Sequence, residues 1–333
     1  MARESRLRSL DGLRGLAAVV VLFHHILLID PWFYSALTSP AVGDGGMKRI
    51  IYFSPLHIFF AGTEAVMVFF VISGLVLTRA ISETQSTRMS YLAPRLARLY
   101  IPIWTSVIIS LLLAALRPSG YLVSGSEWHA SHLGAVKLED LPGRFGELFR
   151  DLFVLNGTSW LNSSLWSMRV ELMFSIFLVF VLIFARWGVV GFLAALVVAI
   201  NAVNVAILGD VLKYLPYFVL GSLISKLEWR PSPRTSIILL IIGVISFTLP
   251  WMARNWNIDL SSGFQGEIFY LVGSSTVVAS AISDRGFGKL LSKGLFQYLG
   301  NRSYSLYLIH APVVTLVGFW CMRIAGDVKY WPL

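Results

Sequence analysis

The 333-residue chain has one cysteine and few charged side chains. A lone cysteine, Cys321, excludes an intramolecular disulfide and a cysteine-rich metal site. Charged residues make up only 14% of the chain, against about 25% in an average soluble domain, while 56% of residues are hydrophobic. A soluble core cannot hide that much apolar surface. The chain also lacks internal repeats, low-complexity tracts and an appended soluble domain, so we expect a single membrane domain over residues 1–333.

The apolar residues fall into runs of about 20, the length that crosses a hydrocarbon core of about 30 Å. A backbone exposed to lipid must satisfy its own hydrogen bonds, so we expect these runs to be helices. The fold class is therefore predicted to be all-α, a polytopic bundle of about nine to ten transmembrane helices. The predicted spans are 10–29, 56–78, 97–116, 165–185, 188–208, 212–227, 235–252, 266–283 and 303–324.

The formal charge of +9 would suggest nucleic acid in a soluble protein, but here Lys and Arg concentrate between alternate apolar runs. That distribution sets membrane orientation, so we expect a cytoplasmic N-terminus and no nucleic-acid partner. Arg14, His24 and His25 in the first apolar stretch, with no small-residue cleavage pattern after it, predict an uncleaved first span. Nine spans leave the C-terminus outside, and the abrupt ending suggests a missing tenth helix or a miscount by one. More than half of the 27 basic residues then lie inside: Arg3, Arg6, Arg8, Arg14, Arg79, Arg88, Arg95, Arg98, Arg186, Lys226, Arg230, Arg234, Arg285, Lys289, Lys293 and Arg302.

Two outward segments are long, at about 30–55 and about 117–164. The second is too long for a simple connector between two helices. It predicts either a partly ordered cap over an external opening or a solvated loop.

The first span carries charged and titratable residues at membrane depth, where they are costly and often functional. Arg14 and His25 are eleven residues apart, about 16 Å along a helix and about 20° around it, so they share one face. Asp11 can pair with Arg14 or cap the helix. In the alternative interpretation, Arg14 reaches the inner headgroups and His25 only bonds a neighbouring helix. His24 points elsewhere and is predicted to be structural.

The second and third spans carry weaker signals. Glu64 lies near the predicted outer end of the second span, where the sequence favours a functional carboxylate and an ordinary interfacial one about equally. Ser73 and Gly74 are predicted, by spacing alone, to form a small-residue packing face. Arg95 and Arg98 would lie on one helix face at the cytosolic surface, suited to phosphates, although ordinary positive-inside arginines look the same.

Two later spans each carry one titratable residue. Glu171 lies about two turns into the fourth span, and its depth requires a partner, either Arg169 or a residue on another helix. His310 lies at mid-depth in the last span, where a hydrogen-bonded core histidine is the commoner outcome.

Together these segments resemble the acyltransferase-3 family of membrane acyltransferases, which includes O-antigen and exopolysaccharide O-acetylases. The resemblance runs along nearly the whole chain, in five short patterns in the expected order. They are Leu10–Ala17 with His25, Phe69–Gly74, Arg95 with Arg98, Trp166–Ser167 with Glu171, and Leu299–Gly300 through His310.

The resemblance implies transfer of an acyl group, usually acetyl, from acyl-CoA at the cytoplasmic side. The acceptor would be an outward-facing hydroxyl of a cell-surface carbohydrate or lipid-linked glycan, at a bacterial inner membrane, and no metal is expected. The family pattern singles out positions matching Arg14 and His25. It assigns an arginine pair matching Arg95 and Arg98 to the CoA, and has a helix pattern matching Ser73-Gly74.

In that chemistry, His25 could take the proton of the attacking hydroxyl or carry the acyl group as an acyl-imidazole. Arg14 lies too far along the axis to touch the same atom and is assigned to the CoA end or to organising the pathway. Glu171 could orient an imidazole or bind acceptor hydroxyls, while Asp11 and His310 are assigned to substrate or structure.

Two alternative functions stay open from the residues. One is a transporter of an acylated or anionic solute without acyl transfer, and the other is a packing subunit whose charges serve assembly. The absence of paired interrupted helices and of repeats counts against transport. The sequence carries no signal for the oligomeric state.

Overall fold

The computed structural model describes residues 2–39, 43, 45–83, 88–116, 138–155, 159–184, 209–227, 229–283 and 285–324. Within these ranges every regular element is helical, which confirms the predicted all-α class. The eight longer helices are α1 (Ala2–Leu27), α2 (Gly62–Glu83), α3 (Arg88–Ala115), α4 (Leu165–Phe184), α5 (Leu215–Lys226), α6 (Pro233–Ala253), α7 (Gly263–Ala281) and α8 (Gly294–Ile324). Shorter α-helices are Pro31–Thr38, Met47–Tyr52, Phe145–Leu152, Gly209–Leu212 and Phe287–Leu291, with 3-10 turns at Pro55–Phe59, Leu138–Arg144 and Arg254–Trp256.

Each predicted span that falls on described residues overlaps one of the eight longer helices, although the span predicted at 56–78 begins on the 3-10 turn Pro55–Phe59, before α2. The span at 188–208 lies outside the described residues. Several helices begin before the apolar run that predicted them, because a helix can continue into the headgroup region where charged residues are tolerated. Five described segments are long and apolar enough to cross a bilayer: Arg8–Leu27, Gly62–Ala80, Ala93–Ala115, Pro233–Trp256 and Gly294–Cys321.

Helix α1 packs along α8 and also contacts α2 and α7. The α1–α8 crossing depends on two facing glycines, because a Cβ on Gly15 would lie 2.5 Å from the backbone nitrogen of Gly300. Small residues of this kind let helix backbones approach closely where lipid offers no hydrophobic drive to associate. The close crossing fixes how residues of α1 face those of α8.

A second glycine pair joins α2 to α5. A Cβ on Gly74 would lie 2.2 Å from the carbonyl oxygen of Phe218, and one on Gly221 would lie 2.0 Å from the carbonyl oxygen of Val71. The predicted packing role of Gly74 is therefore confirmed. Ser73, beside it, faces a different helix.

The segment at about 30–55, predicted to face outward, is folded, not extended. Its short helices surround an aromatic cluster that reaches α6 through Trp251. The cluster consists of Phe33, Tyr52, Phe53, Phe60 and Trp251.

The described part of the second long segment is also helical. Phe145–Leu152 docks beside α3, where the indole nitrogen of Trp104 donates to the carbonyl oxygen of Leu152 at 3.0 Å. Residues 138–152 of this segment are thus helical, and residues 117–137 and 156–158 lie outside the described ones.

Candidate active site

A small cavity lies where α1, α2, α4 and α8 meet, and Arg14 borders it. Its volume is about 20 Å³, the room of about one water molecule. The walls are mixed in chemistry, with aromatic rings beside hydroxyls and one carboxyl group. Its lining includes Arg14, Phe69, Ser167, Glu171, Ser303 and Tyr307.

Glu171 meets its partners on two other helices. Its Oε1 accepts from Ser73 Oγ on α2 at 3.3 Å and from Arg95 Nη2 on α3 at 3.2 Å. The Nε of Arg95 also donates to Ser175 Oγ, one turn along α4 from Glu171, at 2.8 Å. The predicted need for a partner is confirmed, and the partner is Arg95 on another helix, not Arg169.

The two arginines of α3 have different surroundings. Arg95 turns inward to Glu171, whereas Arg98 is exposed. Arg95 and Arg98 are therefore not two equivalent phosphate ligands, because the charge of Arg95 is paired with Glu171 and that of Arg98 is exposed. Of the two, Arg98 presents its charge outward from the bundle.

His25 lies near the other end of α1 and contacts His310 of α8. The distance from His25 Nδ1 to His310 Nε2 is 3.1 Å, and the ring centroids are 4.7 Å apart. His25 Nδ1 also lies 2.9 Å from the carbonyl oxygen of Val21, and His310 Nδ1 lies 2.6 Å from that of Tyr307. His310 is buried and hydrogen-bonded, as predicted, and it also meets His25, which the sequence did not predict.

Tyr307 contacts both the cavity and the histidine pair. It borders the cavity, its hydroxyl lies 2.5 Å from Ser167 Oγ, and its ring is 5.5 Å from that of His310. His25 does not border the cavity. The arrangement is thus a cavity at the Arg14 end and an imidazole pair at the other end, with Tyr307 next to both.

The remaining α1 residues have simpler positions. Asp11 lies within α1, which begins at Ala2, so it does not cap the helix; Arg14, three residues on, acts on it electrostatically. His24 Nδ1 lies 3.0 Å from the carbonyl oxygen of Phe60, as expected of a structural residue, but its ring also meets that of His25 edge-on, with centroids 5.3 Å apart.

A buried polar cluster at the N-terminal end of α2 was not predicted from the sequence. Glu64 is 1% exposed, accepts from Trp251 Nε1 at 2.7 Å and lies 3.8 Å from His57 Nε2. The interfacial alternative for Glu64 is therefore wrong. A carboxylate in the first turn of an apolar helix was the available signal, but its partners lie up to 187 residues away.

The comparisons with known proteins agree with this architecture. The acyltransferase-3 family model, described as an acyltransferase domain, matches residues 7–332. No curated protein and no solved structure matches the chain. The family model covers nearly the whole chain and the helices include several that can cross a bilayer, so neither the transporter nor the packing-subunit alternative is favoured. The chain belongs to the acyltransferase-3 family and is an integral, multi-pass membrane acyltransferase.

Proposed function

We propose that the chain is an O-acyltransferase that takes an acyl group, usually acetyl, from acyl-CoA at the cytoplasmic side of a bacterial inner membrane. The acceptor is an outward-facing hydroxyl of a cell-surface carbohydrate or lipid-linked glycan. The observation that supports this proposal is that α1 carries Arg14 at a small, largely apolar cavity that Glu171 and Ser167 also line, and His25 in an imidazole pair, with Tyr307 adjacent to both.

His25 is the group we propose for the acceptor. A neutral imidazole can take the hydroxyl proton while the hydroxyl oxygen attacks the thioester carbonyl. The new carbon–oxygen bond forms as the carbon–sulfur bond breaks, and the proton passes from the imidazole to the departing CoA sulfur. If the imidazole itself is acylated first, a carbon–nitrogen bond forms as the carbon–sulfur bond breaks and the imidazole proton leaves with the CoA sulfur. The acceptor hydroxyl then forms the carbon–oxygen bond as the carbon–nitrogen bond breaks, and its proton returns to the imidazole.

The groups at the Arg14 end are proposed to meet the donor. When bound, acyl-CoA supplies the activated carbonyl. Arg98 is exposed and can contact a phosphate, while Arg95 holds Glu171 against Ser73 and so shapes the cavity wall. The cavity of about 20 Å³ is smaller than a thioester arm, so donor binding requires its lining side chains to move apart.

The test is acylation of envelope glycan in cells carrying His25→Gln. We expect a loss of at least about a hundredfold in label transferred from radiolabelled acetyl-CoA, the contribution typical of a general base. The matched control is His24→Gln, since the Nδ1 of this neighbouring histidine bonds the carbonyl oxygen of Phe60 and its ring only meets that of His25 edge-on. Mass spectrometry of the glycan identifies the modified hydroxyl. Full acylation by His25→Gln at normal protein level would refute the role of His25.

A further inference from the structure

We infer that His310 is a positioning residue for His25, holding its imidazole in the tautomer and orientation that leave Nε2 able to accept a proton. This inference rests on the proposed function, in which His25 meets the acceptor. The two residues are 285 positions apart in the chain and come together only because α1 and α8 pack closely.

The hydrogen bonds of His310 determine where its proton lies. Its Nδ1 is 2.6 Å from the carbonyl oxygen of Tyr307. A carbonyl oxygen only accepts, so Nδ1 carries the hydrogen and donates it. In the neutral ring the other nitrogen, Nε2, then has a lone pair and faces His25 as an acceptor.

The same reasoning fixes the tautomer of His25. Its Nδ1 lies 2.9 Å from the carbonyl oxygen of Val21 and 3.1 Å from Nε2 of His310, and both of these atoms are acceptors. Nδ1 must therefore carry the hydrogen, which it shares between them. In the neutral ring the lone pair belongs to Nε2, the nitrogen that can take a proton from a hydroxyl.

His310 is itself held firmly. It is buried, its ring packs 5.5 Å from that of Tyr307, and the Gly15–Gly300 contact fixes α8 against α1. A hydrogen-bond acceptor at Nδ1 also favours the imidazolium that forms when Nε2 takes the proton, because Nδ1–H donates more strongly from the charged ring. His310 thus acts on the reaction through His25.

Two amide variants separate this positioning role from a structural one. In His310→Gln the amide can reach the position of Nε2 and still accept from His25. In His310→Asn the shorter amide reaches only the Nδ1 position, so it keeps the contact with Tyr307 and loses the one with His25. We expect the Gln variant to keep most of kcat and the Asn variant to lose about tenfold or more, with the donor KM unchanged in both.

The tautomer gives a second measurement that does not need an active variant. In ¹⁵N-histidine NMR of the full chain in micelles, the neutral His25 ring should show a protonated Nδ1 and an unprotonated Nε2, assigned through the loss of its signals in His25→Gln. The opposite tautomer would overturn the inference. So would equal activity of the Asn and Gln variants at wild-type protein level. If His25→Gln stays active, the proposed function fails instead, whatever the NMR result.

Discussion

Replacing Arg95 with methionine removes the cation that Glu171 contacts while keeping a side chain of similar reach. The two charges are 3.2 Å apart, and their side chains are 15% and 10% exposed. At an effective dielectric constant of about 20, the Coulomb attraction at that distance is about 5 kcal/mol. Much of this is offset by the cost of desolvating both groups.

Removing one partner costs more free energy than the intact pair contributes, because the other charge is left buried without a counter-ion. Breaking a buried pair typically costs about 3–5 kcal/mol. Since this pair keeps some exposure, we expect Arg95→Met to cost about 3 kcal/mol in the free energy of unfolding. Glu171→Gln should cost less, because its amide can still accept from Ser73.

The assay is a double-mutant cycle in mixed detergent micelles, with unfolding followed as the fraction of denaturing detergent rises. The variant Arg95→Met/Glu171→Gln should be more stable than Arg95→Met alone, because no unpaired carboxylate remains. The coupling free energy should be about 1–3 kcal/mol. Simple addition of the two single effects would refute the pairing and return Arg95 to a role at the donor alone.

Three further predictions address the donor end, the outer segment and the cavity. Arg98→Ala should raise the donor KM several-fold without changing the unfolding midpoint, because this side chain is exposed; equal weakening of acceptor affinity in substrate titrations would contradict it. Asp151 lies outside the spanning helices, and burial raises the pKa of its carboxyl from 3.8 to about 6. The folded state therefore keeps this proton at a pH where the unfolded state has lost it, so the free energy of unfolding falls as pH rises from about 4 to about 6. Asp151→Asn should flatten that slope in unfolding measured from pH 4 to 7.5, and a persisting slope would exclude Asp151 as its source. Ser303→Leu should fill the cavity and abolish donor-dependent acyl transfer at unchanged protein level. The control Ser305→Leu, on the exposed side of the same helix, should leave transfer intact. Full transfer by the Ser303 variant would show that the donor bypasses the cavity.

Composition and apolar run length were sufficient to predict the fold class and the helices, because lipid allows so few backbone solutions. Helix ends were less predictable. Helix α8 begins at Gly294, nine residues before the predicted span, since its first turns mix apolar residues with Gln297, Asn301 and Arg302. Periodicity along α1 also placed Arg14 and His25 correctly on one helix.

Side-chain partners could not be predicted from one sequence. Glu171 needed a partner, but choosing between Arg169 two residues away and Arg95 on another helix requires knowing which helices touch. The same holds for His25 and His310, each of which has an acceptable local explanation alone. Only the close crossing of α1 and α8 shows that they form a pair.

Tyr307 determines how the two ends of α1 can cooperate. Arg14 and His25 are about 16 Å apart along a continuous helix, so one carbonyl group cannot touch both. On the proposed function, a thioester bound at Arg14 must extend along α1 to reach His25. Tyr307 borders the cavity and supports His310 through its carbonyl oxygen. The ring of Tyr307 packs against His310 and its carbonyl oxygen bonds the same residue, so a donor that displaces the ring leaves the backbone contact to hold the histidine pair.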